Sequence, residues 1–514
     1  MSSDRARHDM RPATEVPSTA RTFRAPAGTS APRLAGLRGV TAAPDPAVVT
    51  ETQRYDTDDL RLAAAGIRLE LATGPDDAQW RLTLPGEDDV IRLPATVPDV
   101  EGADPHDPPA ELDELVRGVR RDRELRPVAR VRTVRTTTRL LASGTPRAAL
   151  DRDDVSVATL GESTTVDTWT EFALHPPARG TALASELERR LGDVGAVAAA
   201  PGADDRVDEL LAPARPRRVR RGKKGTAGRV LVDYLAAQVD ALAAQDIRVR
   251  RDEPDAVHQM RVASRRLRSA LQAYRPLVDR ERTDPLVDEL RELGRTLAPA
   301  RDAEVLRERI SAGIAGLDPG LVLGPVQAQV TRHFARIEAE ARAAVLAELD
   351  GDRYARLRTA LDDLLADPPL SARAGKPAEK ELPKVAGKTA RRLEKAVAVM
   401  EDEPTDDAIH RVRKDAKRMR YATELAAPAV SKKQVKAFRK GLKGMQTALG
   451  EHQDSVVSRE ALRELGAQGH AAGDNGFTFG VLHGHDRAMA ALVESRLPGL
   501  WDVAWAKKAR RWLR

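Results

Sequence analysis

His258, Arg261, Arg265 and Arg268 are spaced by three, four and three residues, and so are His410, Arg413, Lys417 and Arg420. At about 100° per residue these positions share one face of a helix over roughly three turns, a row about 15 Å long. Arginine offers a planar fork that matches two phosphate oxygens, and lysine offers a point charge. A row of this length suits several successive phosphates better than a single one. Like charges in such a row repel one another. Asp415 is the only acid within 257–275 and 409–421, so the counter-charge is expected to come from an external anion.

The two rows belong to an internal repeat with an offset of 152 residues. Val257-His258-Gln259-Met260-Arg261 recurs as Ile409-His410-Arg411-Val412-Arg413. Arg266 and Arg418 follow each His by 8 residues, Asp302 and Asp454 follow by 44, and Arg291 matches Lys443. An isolated basic run usually reads as a solvated helix face. Recurrence of the whole pattern instead predicts two similar helical units, each with an anion-binding stripe. Met260, Leu267 and Leu271 in the first copy, and Val412, Ala416 and Met419 in the second, should form the apolar far side. Asp302 and Asp454 fit two roles equally: a helix N-cap, or an orienting partner for stripe arginines. Only Tyr274 and Tyr421 lie near the stripes. Single-strand nucleic-acid readers need more stacking surface, so a bare phosphate polymer is favoured.

These stripes must be carried by helices, and the rest of the chain agrees. Apolar spacing of helical period runs through 227–246, 255–277, 284–296, 301–316 and 325–366, and again through 382–401, 405–427, 431–448, 453–467 and 475–497. Aromatic residues are 3% of 514 and cysteine is absent, which excludes disulfides, thiolate metal sites and cysteine nucleophiles. No run of about 18 apolar residues is present, and residues 1–32 lack the apolar segment of a secretory signal. A soluble, cytoplasmic protein is expected. Residues 1–200 hold 26 Lys+Arg against 32 Asp+Glu, and 201–514 hold 59 against 46. This asymmetry implies domains with different partners.

The reading of domains is a disordered tail at 1–30, a β domain at 31–200, a basic linker at 201–225 and a helical domain at 226–514. The helical domain divides into bundles at 226–366 and 379–514. In the β domain, period-two alternation marks strands at 66–71 and 80–84 joined by a turn at 73–77, with others at 128–141 and 168–174 and a closing helix at 182–191. The fold class is therefore α+β, a β domain followed by two similar helical bundles.

The repeat resembles the CHAD (conserved histidine α-helical) domain over 226–514. Members of that family bind inorganic polyphosphate on a basic central surface. The resemblance implies this role for His258, Arg261, Arg265, Arg266, Arg268 and Arg291, and for His410, Arg413, Lys414, Lys417, Arg418, Arg420 and Lys443. One departure is Ala300, where the second copy has His452.

The stretch Tyr55-Asp56-Thr57-Asp58-Asp59-Leu60-Arg61-Leu62, the segment from Thr73 through Trp80 to Pro85, and Arg132-Thr133-Val134-Arg135 resemble the CYTH domain, a triphosphate tunnel. Active members carry Glu-x-Glu-x-Lys on the first strand, whose glutamates hold a divalent metal. Here Ser18-Thr19-Ala20-Arg21-Thr22 stands in that place, Thr83 replaces an expected Lys, and Glu171 alone remains of a later Glu-x-Glu-x-Glu. A tunnel fold that has lost hydrolysis is expected, with no catalytic residue, no resident metal and no cofactor. Mg²⁺ or Mn²⁺ would enter only if the tunnel were active. Arg130, Arg132 and Arg135 are its residual phosphate-binding candidates, and Glu171, Asp151 and Asp153 read as surface acids. Together the two family resemblances imply an antiparallel β tunnel or barrel followed by two pseudo-symmetric helical bundles.

The leading expectation is a polyphosphate-binding protein that associates with polyphosphate granules. The alternatives are a metal-dependent triphosphatase and a binder of nucleic acid or another anionic partner.

Overall fold

The structure is a computed structural model that describes residues 20–37, 39–75, 78–86, 90–95, 107–161, 164–175, 181–199, 203–212 and 219–513. Most of the expected tail, Ser18 and Thr19 of the first-strand alignment, Asp76 and Asp77 of the hairpin turn, and Arg215, Arg217 and Arg218 of the linker lie outside these residues. The chain forms two compact units, 1–113 with 122–216, and 114–121 with 217–514.

The first unit is built on a ten-stranded antiparallel sheet. Its strands are β1 (Arg21–Pro26), β2 (Thr41–Pro44), β3 (Val48–Asp56), β4 (Arg68–Thr73), β5 (Gln79–Thr83), β6 (Val90–Pro94), β7 (Arg126–Ala142), β8 (Thr145–Thr159), β9 (Val166–His175) and β10 (Val197–Ala198). Helices α1 (Arg61–Ala64), α2 (Ala110–Arg120), α3 (Thr181–Asp193) and α4 (Ala203–Leu211) are interspersed, and α2 divides between the two units. Strand order is β10-β1-β9-β8-β7-β3-β4-β5-β6, and β2 pairs with the far end of β7. Ser143 and Gly144 both take positive φ, 49° and 81°, which turns β7 into β8 in a two-residue hairpin.

Three expectations are corrected here. The sheet begins at Arg21, inside the expected tail, because Phe23 packs with Phe172, Leu174, Leu187 and Leu191 in one core cluster. The linker's start is helical, because Val207 and Leu211 of α4 pack on Val155, Val157 and Trp169. Strand β8 carries Asp151 and Asp153 in its interior, only 6% and 7% exposed, so neither is a surface acid.

The second unit contains α5 (Ala227–Arg250), α6 (Ala256–Ala273), α7 (Arg280–Thr296), α8 (Ala298–Ala315), α9 (Val326–Asp350), α10 (Asp352–Ala366), α11 (Ala378–Asp402), α12 (Asp406–Ala426), α13 (Lys432–Ala471) and α14 (Phe477–Ala504). Thr226 caps α5 by accepting from the Arg229 backbone N–H. Gly351 divides the expected 325–366 helix into α9 and α10. In the second copy the expected break between 448 and 453 vanishes, and 432–471 is one helix of 40 residues. The first copy breaks at the same place because Pro299 lies in the first turn of α8, where the missing N–H costs nothing. Glu451 stands at that position in the second copy. One apolar core runs from Ala227 to Trp512 and takes residues from both copies, so the expected bundles are halves of a single packed unit.

Candidate functional site

The stripes lie on α6 and α12. Their far sides are fully packed, since Met260, Leu267, Leu271, Val412, Ala416 and Met419 are each at most 1% exposed. Burial of these side chains fixes the rotation of both helices and sets the stripes on the remaining face.

The two stripes meet. Arg265 of α6 donates through Nε to the Tyr421 hydroxyl of α12 at 2.8 Å, and Arg420 stands 5.0 Å from the Tyr421 ring centre. Glu424 lies 3.4 Å from Arg266 and 3.3 Å from Arg420, so it takes one cation from each copy. Arg261 pairs with Asp302 at 2.6 Å, and Arg413 pairs with Asp454 at 3.8 Å. Asp302 lies in the second turn of α8 and Asp454 in mid-α13. Both acids thus face stripe arginines, and neither stands at a helix N-cap.

Charge crowding is visible in the protonation of the site. Burial, and then Arg413, Arg265 and Arg261, push Lys417 down to about 7, with Asp454 opposing. Burial, then Arg291, Arg265 and Arg418, lowers Arg268. Burial lowers Arg413 as well, against the pull of Asp454. His258 is lowered by burial and then by Arg301. Burial raises Asp454 despite Arg413, Arg309 and Lys417. Among the described residues the buried Nε of Arg413 has no hydrogen-bond acceptor, while those of Arg266 and Arg420 face the Glu424 carboxylate at 3.4 and 3.3 Å. An unmet donor of this kind is costly.

Not every expected residue joins the cluster equally. Arg418 is drawn to the buried Asp415 at 2.7 Å, which also holds Arg392. Arg291 pairs with Asp288 on its own helix. Lys414 and Lys443 are exposed. His410 hydrogen-bonds through Nδ1 to Gln453. Tyr274 is buried, its hydroxyl donating to the Ala422 carbonyl, so it offers no stacking face. Sequence reasoning missed Arg301, which faces His258, and Arg309, which faces Asp454. The repeat offset places Gln453 and Ala461 at their counterparts, so a search for repeated cations passes over them.

In the sheet unit the candidate arginines separate. Arg130 and Arg132 share a face, and Arg135, three residues on from Arg132, points to the other. Arg130 pairs with Glu51 at 3.2 Å. Arg135 makes a two-pronged pair with Asp153 at 2.8 and 2.7 Å. Asp151 accepts from Thr137 at 2.7 Å and pairs with His175 at 2.9 Å. Glu171 accepts from Trp169 Nε1 at 3.2 Å and lies 3.9 Å from Arg24. Helix α4 packs on Val155 and Trp169 of the same face. These acids are committed to groups of the protein itself and do not fit a divalent metal, which needs several carboxylate oxygens converging on one point.

Comparison with known proteins agrees with the helical half. The family model described as "CHAD domain" matches residues 233–463. The solved structure of PptA from Streptomyces chartreusis is 22% identical, with TM-score 0.47, covering 54% of this chain and 99% of that one. The CHAD domain from the plant Ricinus communis is 24% identical, with TM-score 0.46, covering 57% and 98%. Uncharacterized protein MT2285 of Mycobacterium tuberculosis is 34% identical over 466 residues, 86% of this chain and 87% of that protein. The chain therefore belongs to the family of this mycobacterial relative, and it is a CHAD-domain protein whose helical repeat follows an N-terminal antiparallel sheet.

Proposed function

We propose that the joined α6 and α12 stripes bind inorganic polyphosphate. The observation that carries this reading is the meeting of the two stripes, with Arg265 bound to Tyr421, Glu424 holding Arg266 and Arg420, and Lys417 partly buried beside Arg413, Arg265 and Arg261. Such a cluster is unfavourable without an anion and complementary to a chain of closely spaced phosphates. The resemblance to CHAD domains points to the same ligand. Tyr274 is buried and the Tyr421 ring is flanked by Arg265 and Arg420, which leaves neither stripe tyrosine as a platform for bases and favours bare phosphate over nucleic acid. No described helix is long and apolar enough to cross a membrane.

The test is titration of the full-length chain with long-chain polyphosphate, repeated across salt concentrations and in the Arg261→Glu/Arg413→Glu variant. Binding should weaken steeply with salt. The double reversal should cost at least about a hundredfold, because hydrogen bonds to charged groups contribute about 1.5–3 kcal/mol each. Unchanged affinity in that variant rejects the stripes as the site. Tighter retention of single-stranded nucleic acid in competition replaces the ligand.

The sheet unit is read as a tunnel fold without hydrolysis. Its support is the absence of Glu-x-Glu-x-Lys and the engagement of Asp151, Asp153 and Glu171 by Thr137, His175, Arg135, Arg24 and Trp169.

A further inference from the structure

We propose that Asp406, His452 and Glu494 form a binding site for one first-row divalent cation, at the head of the second-copy stripe. One ligand atom from each of these residues lies within 4.8 Å of the other two. His452 Nε2 is 2.8 Å from Glu494 Oε1 and 3.6 Å from Asp406 Oδ1. An ion with bonds of about 2.0–2.2 Å in tetrahedral geometry spaces its ligand atoms by about 3.3–3.6 Å. The His–Asp separation already has that value, and the His–Glu contact needs to open by only about half an ångström. The three residues come from α12, α13 and α14, and His452 is 2% exposed. A rigid, buried imidazole thus anchors two more accessible carboxylates. Arg459 also approaches Asp406, at 4.0 Å, which makes Asp406 the weakest of the three ligands.

The internal repeat supplies a comparison within the same chain. At the offset of 152 the first copy has Pro254, Ala300 and Arg342, and these three line one cavity of about 330 Å³. None of them is a metal ligand in proteins of ordinary chemistry, and Arg342 brings a tethered cation, paired with Asp252, to the place of Glu494. Where the first copy carries its own positive charge, the second copy gathers an imidazole and two carboxylates. The plain alternative is that His452 simply donates a hydrogen bond to Glu494 and ties α13 to α14. That alternative accounts for His452 and Glu494, and it leaves Asp406 to the N-terminus of α12 and to Arg459 at 4.0 Å.

One nitrogen and two carboxylate oxygens suit Zn²⁺ or Mn²⁺ better than Mg²⁺ or Ca²⁺, which prefer oxygen throughout. Three protein ligands leave at least one position open. Asp406 precedes His410 by four residues and shares its helix face, so the ion would extend the positive row by one turn.

The experiment is calorimetric titration of the untagged, chelator-stripped full-length chain with Zn²⁺, and separately Mn²⁺, in buffer free of polyphosphate. One site per chain is expected, weakened more than about tenfold in Glu494→Gln and in His452→Ala. Glu494→Gln keeps a hydrogen-bond acceptor for His452, so it tests the metal even where His452→Ala disturbs the fold. The other nine histidines of the chain contribute only binding that both variants retain. Equal Zn²⁺ stoichiometry and affinity in wild type and Glu494→Gln, or no saturable site in the wild type, overturns the proposal. No polyphosphate is present, so either result leaves the polyanion reading to its own test.

Discussion

Under the proposed function, Lys417 makes polyphosphate binding a proton-linked reaction. In the free protein its ammonium is crowded by burial and by Arg413, Arg265 and Arg261, and it titrates near 7 instead of at its ordinary 10.5. A phosphate chain laid across the stripe supplies the opposite charge and moves the group back toward its ordinary value. The bound state therefore holds a proton that the free state gives up as pH rises through about 7. Below that point both states are protonated and affinity is flat. Above it, each pH unit costs close to a factor of ten, about 1.4 kcal/mol. Between pH 6 and 8 the association constant should fall about tenfold. Isothermal titration with long-chain polymer, whose titrating end groups are a small fraction, measures this directly, and heats in buffers of different ionisation enthalpy count the proton taken up. Lys417→Arg keeps the charge at all these pH values and should abolish the slope. His258 is held below its ordinary value by burial and Arg301, so its titration belongs to the acid side of this window. A flat wild-type profile from pH 6 to 8, or a slope retained in Lys417→Arg, refutes the assignment.

Two predictions concern stability and one concerns the sheet unit. Lys417→Met should raise the melting temperature of the unliganded protein, by on the order of 1–3 kcal/mol in stability. The depressed lysine means that the unfolded chain binds the extra proton between about 7 and 10.5, so wild-type stability rises with pH across that window, and the gain from Met should be larger at pH 6 than at pH 9. Gly441→Ala should destabilise despite alanine's better helix propensity, because its Cβ would lie 2.7 Å from the Ala504 Cα. A net loss of about 1–3 kcal/mol is expected as α13 is pushed from α14, and an unchanged or higher melting temperature counts against the packing described. Full-length chain incubated with inorganic triphosphate and Mg²⁺ or Mn²⁺ should release no phosphate, and turnover that vanishes in Glu171→Ala would reverse the reading of the sheet unit.

The helical half was legible because its information is local and repeated. A helix-period stripe, seen twice at one offset, specifies both the helix and the face it exposes, and the burial of Met260, Leu267, Val412 and Met419 follows from it. What could not be read is how the two copies meet. That depends on Tyr421 and Glu424 receiving Arg265 and Arg266 from the other copy, contacts between positions about 156–158 residues apart with no periodic mark. Pro299 explains the break between α7 and α8, yet nothing local in 445–455 announces that α13 runs straight through. In the sheet unit, Asp151 and Asp153 read from the sequence as surface acids. Strand pairing instead sets Arg135 beside Asp153 and makes the acids interior. Burial of a charge is decided by its partner, and the partner lies 18 residues away on the neighbouring strand.

The joining of the stripes bears on why the chain carries two copies. One stripe alone holds four basic positions and one orienting acid, which suits a short run of phosphates. Two stripes sharing Tyr421 and Glu424 make a single surface in which each copy raises the positive potential felt by the other, as the position of Lys417 records. That repulsion has to be offset by something. The apolar core from Ala227 to Trp512 draws on both copies, and its burial supplies the offset at roughly 25 cal/mol per Å² of apolar surface. The packing that makes the fold and the charge that makes the site are thus opposed on the same two helices. Leu267, Leu271, Val412 and Met419 packed behind the stripes, together with the shared Tyr421 and Glu424, hold α6 and α12 side by side. Under the proposed function, ligand binding then relieves a repulsion already held by the core, which is the physical sense in which such a surface is prepared for a polyanion before meeting one.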